Sequence, residues 1–269
     1  MEKESTMYLL AAEDNQLAKA LREAIIPEGF TVGGVSISPG IVSAVVVTAA
    51  LLLAAALIRI FAIPRFTTIP GKFQAILEKV VEFFADMAKG NSPHRYGYLG
   101  AFAFAAGIYI FFGTLFELLG LQIVVKGTTY TLPAVMTDIN ACIAVALAAF
   151  FSILVGAVRV NKGKGLLSSL IDFSLPISMS FRLFGSLLSG LLVTELVYQV
   201  TFLYCSIVVP AIVGVLFTMV HAIVQAYILP FLTTLFYGEK TEPSPKKPKR
   251  KKGAQSGDAD VSAEAGARA

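Results

Sequence analysis

LLSSLIDFSLPISMSFRLFGSLLSGLLVTELVYQV, residues 166–200, is a 35-residue stretch with three charged side chains, Asp172, Arg182 and Glu195. Apart from Arg182, no basic residue lies between Lys164 and Lys240. A guanidinium keeps its charge at any ordinary pH, and holding it at bilayer depth costs at least ~2.5–3.5 kcal/mol. Arg182 is therefore read as a functional residue. As a single helix the stretch would measure about 52 Å against a hydrocarbon slab of ~30 Å, so it must tilt, bend or run partly along the membrane. Pro176 marks a kink or a start. On a helical wheel Ser178, Arg182, Gly185, Ser186 and Ser189 share one face, a stripe of small and polar side chains that lets a neighbouring helix come close. A plain packing seam with Arg182 reaching toward a head group is the bland alternative. Glu195 lies 13 positions beyond Arg182, about 140° around the helix, which argues against an ion pair within it.

The rest of the chain places it in a membrane. Of 269 residues, 56% are apolar and 15% charged, and the mean hydropathy is +0.73. A soluble domain carries about 25% charged residues. Four runs of the length that a ~30 Å slab demands are clear: 41–58, 99–121, 139–158 and 211–237. With 166–200 as a fifth, the expected fold is an all-α polytopic membrane protein of five transmembrane helices. No soluble enzyme domain remains once these are removed.

The basic residues orient these spans. The N-terminal tail holds Lys3, Lys19 and Arg22, and the loops on its side of the membrane hold only Lys126. Arg59, Arg65, Lys72, Lys79, Lys89 and Arg95 follow the first span, Arg159, Lys162 and Lys164 follow the third, and eight more occupy the C-terminal tail. The positive-inside rule puts the N-terminus outside and the C-terminus in the cytoplasm. The expected organisation is a polar outer tail (1–34), a membrane domain (35–238) and a disordered basic cytoplasmic tail (239–269). The first thirty residues are acidic and contain no apolar core of a cleaved leader. The final tail mixes prolines with Lys246, Lys247, Lys249, Arg250, Lys251 and Lys252. It can be a solvated segment or one drawn to anionic lipid, and no nucleic-acid partner is expected.

Between the first two spans, Phe73, Ile76, Leu77, Val80, Val81, Phe84 and Met87 recur at steps of three and four, with Lys72, Glu78, Lys79, Glu82 and Asp86 opposite. This predicts an amphipathic helix on the cytoplasmic surface, with docking of a partner subunit as the alternative use of that face. The last span carries Thr218, His221 and Gln225 as a polar column, with Pro230 to bend it. His221 reads equally as a hydrogen-bonded interior residue or a functional one, and Gln225 as functional. Cys142 and Cys205 lie far from any Cys or His cluster and read as small buried hydrophobes. No metal or cofactor is expected.

Taken together, these residues carry a resemblance. Leu175-Pro176-Ile177-Ser178, then Phe181-Arg182-Leu183-Phe184-Gly185 and Ser189-Gly190, resemble the signature helix of subunit a, the channel-forming stator subunit of rotary F-type ATP synthases. The 111–120 segment with Thr114 and Glu117, Asp138-Ile139-Asn140, and Gln225-Ala226-Tyr227 are similar to three further stretches of that family in the same order. The resemblance implies a bacterial plasma-membrane protein, not catalytic alone. It would lie against a ring of c subunits with b-type stator subunits and the rest of the synthase, and offer a proton or Na⁺ two aqueous half-channels. Arg182 would then hold each ring carboxylate in passing and block leakage, with Ser178, Gly185, Ser186 and Ser189 facing the ring. Gln225, Glu195, His221, Glu117 and Asp138 would serve ion translocation. The chain departs from the family pattern at Ser186, where an Asn is usual, and at Leu191, where an acid is frequent, so Glu117, Asp138, Glu195 and His221 are expected to line the outer half-channel by a different route. A secondary transporter using Arg182 to bind an anionic substrate is the alternative. Against it stand the lack of an internal repeat and a single interrupted helix. An intramembrane hydrolase lacks its motifs, and a voltage sensor needs several arginines.

Overall fold

In a computed structural model of the chain the described residues are 30–32, 35–94, 97–125, 128–171, 174–201 and 208–242. Most of the polar N-terminal tail, the basic tail beyond Glu242, and Cys205 lie outside them.

The first long helix, α1 (Pro39–Leu57), starts where Ser38 accepts a hydrogen bond from the Ile41 amide at 3.3 Å, with Pro39 at its first position. This is the cap and the proline that a helix start favours. Its apolar residues follow no helical stripe, and it buries only Pro39, Gly40, Ser43 and Val47. A helix greasy all round belongs in lipid. Beyond Leu57 the helix widens into a π-turn, Ile58–Ala62, then tightens into a 3-10 turn, Ile63–Arg65. Pro64 explains the change, because it has no N–H for the carbonyl four residues back. The ladder slips so that the Ile63 amide bonds to the Ile58 carbonyl.

Four helical runs are long and apolar enough to cross a membrane: Pro39–Arg65, Gly97–Leu119, Ile139–Asn161 and Ala211–Thr241. They coincide with the four clear spans of the sequence. The amphipathic segment is helix α2 (Lys72–Asn91). Only one edge of it docks, with Phe84 and Ala88 buried against α3 (Gly97–Leu115). Phe73 and Ile76 on its apolar side stay 59% and 67% exposed.

The purely helical expectation needs correction at two places. Strands β1 (Phe30–Val32) and β2 (Val35–Ile37) form an antiparallel pair, with Phe30 opposite Ile37. After α3 and a 3-10 turn ending at Gly120 (φ 57°), β3 (Gln122–Val125) pairs with β4 (Thr128–Thr131). The run Thr128-Thr129-Tyr130-Thr131, β-branched but for an aromatic Tyr130, suits a strand. Neither pair carries a helical stripe that would have overridden this.

The segment 166–200 is also not one helix. It is shared between α4 (Ile139–Ile171) and α5 (Ser174–Thr201), with Pro176 in the first turn of α5. A cavity of about 260 Å³ is lined by Ile139, Ile143 and Leu147 of α4 together with Pro176, Ser180 and Phe184 of α5. Were α4 straight from Leu147 to Ile171 it would carry the chain about 36 Å away, too far for Pro176 to return. The helical run therefore departs from a straight line between Leu147 and Ile171. Past this bend α5 runs antiparallel to the first part of α4.

The last helix, α6 (Val208–Thr241), threads the bundle. At one end of the molecule Asn91 donates to Thr234 Oγ1 at 2.8 Å and Asn161 donates to the Lys240 carbonyl at 3.0 Å. At the other end Ser38 of the α1 cap donates to Asp138 at the start of α4. Lipid gives helices no hydrophobic reason to associate, so close packing at small residues does the work. A Cβ on Gly107 would lie 2.5 Å from the Phe84 ring, on Gly156 2.2 Å from the Tyr237 ring, and on Gly238 2.0 Å from the Asn91 carbonyl oxygen. Cys142 is fully buried, its thiol donating to the Met136 carbonyl at 3.0 Å.

The Asn91 oxygen is main chain and cannot rotate aside. Gly238→Ala should cost roughly 1–3 kcal/mol, read as a lower Tm in detergent, while Gly90→Ala, with nothing within 4 Å of its Cβ, should leave Tm unchanged or slightly raised.

Candidate functional site

Helix α5 has two opposed faces. Pro176, Met179, Ser180, Leu183 and Gly190 are buried against the bundle, spaced at three, four and seven residues. Ser178, Phe181, Arg182, Gly185 and Ser189 are exposed on the other side. Leu183 is 2% exposed and its neighbour Phe181 65%. A Cβ on Gly185 would meet nothing within 4 Å. The predicted stripe of small and polar residues thus faces away from the chain's own helices, with Arg182 at its centre. The side chain of Ser186 lies outside the described residues. Among the described residues Arg182 forms no ion pair.

The polar column of α6 meets α5 at a defined register. Seven residue steps from Thr201 to Val208 reach at most about 25 Å, short of the length of α5, so the two helices run antiparallel. A Cβ on Gly190 would lie 2.6 Å from the Phe217 ring. Arg182, eight residues before Gly190, is then roughly level with Gln225, eight after Phe217. Gln225 is 5% exposed, and its Oε1 and the Nε2 of His221 are buried with no hydrogen-bond partner among the described residues. Phe217 stacks on the His221 ring at 5.8 Å between centroids. An unpaired buried polar atom costs about 1–3 kcal/mol. Two of them one helical turn apart, level with a cation, form an unsatisfied polar column inside the membrane.

The acidic candidates fall on one side of that level. Glu117 sits half-buried in the 3-10 turn Phe116–Leu119, after the last turn of α3. Glu195 is in the C-terminal part of α5, which points to the same end of the bundle; its side chain lies outside the described residues. His221 precedes Gln225 by one turn toward that end. Asp138 is there too, but its carboxylate is engaged: Oδ2 accepts from Ser38 Oγ at 2.5 Å, and Oδ1 accepts from the Asn140 amide and side chain at 2.9 and 3.0 Å. It caps α4 and ties that helix start to the start of α1. A Cβ on Gly40 would lie 2.8 Å from the Asp138 Cβ, so the close approach needs that glycine.

On the other side of the Arg182 level, Ser92, Ser152, Thr233, Thr234 and Thr241 are buried polar residues, beside a half-buried Asn91, and all but Thr233 were missed by sequence reading. Thr233 and Thr241 bond back to the carbonyls of Leu229 and Tyr237, whereas Ser92 Oγ and Ser152 Oγ have no partner among the described residues. The Thr233/Thr241 spacing of two turns on the α6 face bearing Tyr237 was the available signal. Among the described residues no group of three His, Cys, Asp or Glu comes together to hold a metal.

Comparison with known proteins bears on this arrangement. The family described as ATP synthase A chain matches residues 41–238, from α1 almost to the end of α6. The chain is similar to ATP synthase subunit a of Shewanella amazonensis (strain ATCC BAA-1098 / SB2B), 25% identical over 199 residues that cover 63% of this chain and 75% of the relative. It is also similar to ATP synthase subunit a of Shewanella sp. (strain MR-4), 24% identical over 197 residues covering 62% and 75%.

The Asp138 clasp can be measured. A double-mutant cycle of Ser38→Ala and Asp138→Ala should show a coupling of about 1.5–3 kcal/mol, the range for a hydrogen bond to a charged group, by unfolding in detergent. Additive effects would mean that the two caps act independently.

Proposed function

The chain belongs to the ATP synthase A chain family, and we propose that Arg182 is the charge on which its coupling of ion flow to ATP synthesis turns. It is a multi-pass membrane protein, an ion-translocating subunit of the synthase's membrane sector and not itself catalytic. Membership of this family leaves no observation in favour of an anion transporter.

The reading assigns the exposed α5 face, Ser178, Arg182, Gly185, Ser186 and Ser189, to a c-subunit ring. The small residues let a ring helix approach, and the guanidinium meets its carboxylate. At 4 Å and an effective dielectric of about 20 such a pair gains ~4 kcal/mol, enough to hold the ionised carboxylate yet weak enough for the next proton or Na⁺ to displace it. The same fixed charge repels a cation trying to cross directly, which keeps two half-channels apart. The observation that carries the reading is Arg182 exposed on the side of α5 opposite its buried residues, with no ion pair among the described residues.

The outer half-channel runs by Glu117, Glu195 and His221 to Gln225. In support, all four sit at or on one side of the Arg182 level, and the orphaned atoms of His221 and Gln225 call for water or an ion from outside the chain. Asp138 stands at the mouth of that path and keeps its rim in place. In this reading α5 is the fifth transmembrane helix. α2 lies along the cytoplasmic surface, and its uncovered apolar edge serves lipid or a b-type stator subunit. The N-terminus is outside and the C-terminus in the cytoplasm, as the basic residues direct.

Arg182→Ala in the assembled synthase should abolish ion-driven ATP synthesis while permitting passive ion leak, measured with inverted vesicles; retained synthesis overturns the assignment. Glu195→Leu should slow synthesis without leak, and wild-type rates would remove Glu195 from the path.

A further inference from the structure

Where the first span ends, an open surface cavity of about 490 Å³ is lined by Phe61, Arg65, Phe66, Lys72, Phe73 and Gln74. The run Pro39–Arg65 has 27 residues, about 40 Å of helix, so its last turns emerge from a ~30 Å slab among the lipid head groups. The backbone there is unusual: the π-turn and the 3-10 turn imposed by Pro64 lie next to the start of α2. The connecting loop is held by two side chains: Thr67 Oγ1 donates to the Ile69 carbonyl at 2.8 Å, and Gln74 bridges back to the Thr67 main chain. Gln74 Oε1 accepts from the Thr67 amide at 3.1 Å, while its Nε2 donates to the Thr67 carbonyl at 3.0 Å and to Glu78 at 2.8 Å.

The lining is chemically two-sided. Arg65 and Lys72 are exposed, neither is ion-paired among the described residues, and no acidic side chain lines the cavity. Phe61 and Phe73 present rings that are 56% and 59% exposed. The first turn of α2 adds to the positive field, since Gly71 offers no side-chain cap and no acid lies in that turn. A free anion would satisfy the cations and leave the rings in contact with nothing. An amphiphile satisfies both. We infer that this cavity binds an anionic phospholipid, its phosphate between Arg65 and Lys72 and its acyl chains along Phe61 and Phe73. Such a lipid fixes the angle between the first span and α2, at a place remote from the ion path.

The test uses the intact synthase in nanodiscs containing photoactivatable phosphatidylglycerol or, in a parallel preparation, photoactivatable phosphatidylcholine. Crosslinks mapped by mass spectrometry should fall within residues 61–73 for the anionic probe and be much weaker there for the zwitterionic one. Neutralising Arg65→Gln and Lys72→Gln should lower the anionic labelling by about fivefold per charge, whereas Arg65→Lys with Lys72→Arg should preserve it. Excess inorganic phosphate should not compete. Equal labelling by both probes in the wild-type complex, labelling indifferent to the loss of both charges, or displacement by free phosphate would each overturn the lipid assignment.

Discussion

A guanidinium cannot shed its charge, and in hydrocarbon it demands an opposite charge or a wet surface. Arg182 lies on the outward face of α5 with no ion pair among the described residues. The rest of the site is arranged around that unmet demand. Small side chains flank it on the same face, Gln225 is level with it on the neighbouring helix, and the acidic groups lie to one side. In the proposed function this exposed charge is what a second protein reaches.

Presenting one charge at one depth requires a rigid scaffold, and in lipid rigidity comes from close contact. Glycines at 107, 156, 190 and 238 sit where a methyl group would collide with a ring or a backbone carbonyl. Hydrogen bonds between helices fasten the two ends: Asn91 with Thr234 and Asn161 with Lys240 at one, Ser38 with Asp138 at the other. The two neutral pairs contribute modestly each, about 0.6 kcal/mol on average in membrane helices, and the Ser38–Asp138 pair more. Together they set which faces of α4, α5 and α6 meet. The packing of Gly190 on Phe217 then sets the register that brings Arg182 level with Gln225.

Asp138 illustrates how one residue reads differently in a line and in space. As an acid near a helix start it joins Glu117 and Glu195 as a candidate for carrying ions. In the folded chain it holds three hydrogen bonds, one of them to a residue 100 positions away. If the outer half-channel runs as proposed, both facts matter at its mouth, whose shape depends on the two helix starts that Asp138 joins.

Four spans, the amphipathic α2 and the face of α5 that carries Arg182 were legible in the sequence, because hydropathy and the 3.6-residue period are local properties of the chain. The two hairpins were not, since their strands are three and four residues long and give too short an alternation to stand out. Nor was the division of 166–200 between α4 and α5, which the sequence marked only by a kink or a start at Pro176. Which residues end up level, which polar atoms go unpaired and which acid is spent on a cap were decided only by the tertiary structure. Those outcomes depend on contacts between helices far apart in the chain, and no local pattern encodes the distance between them.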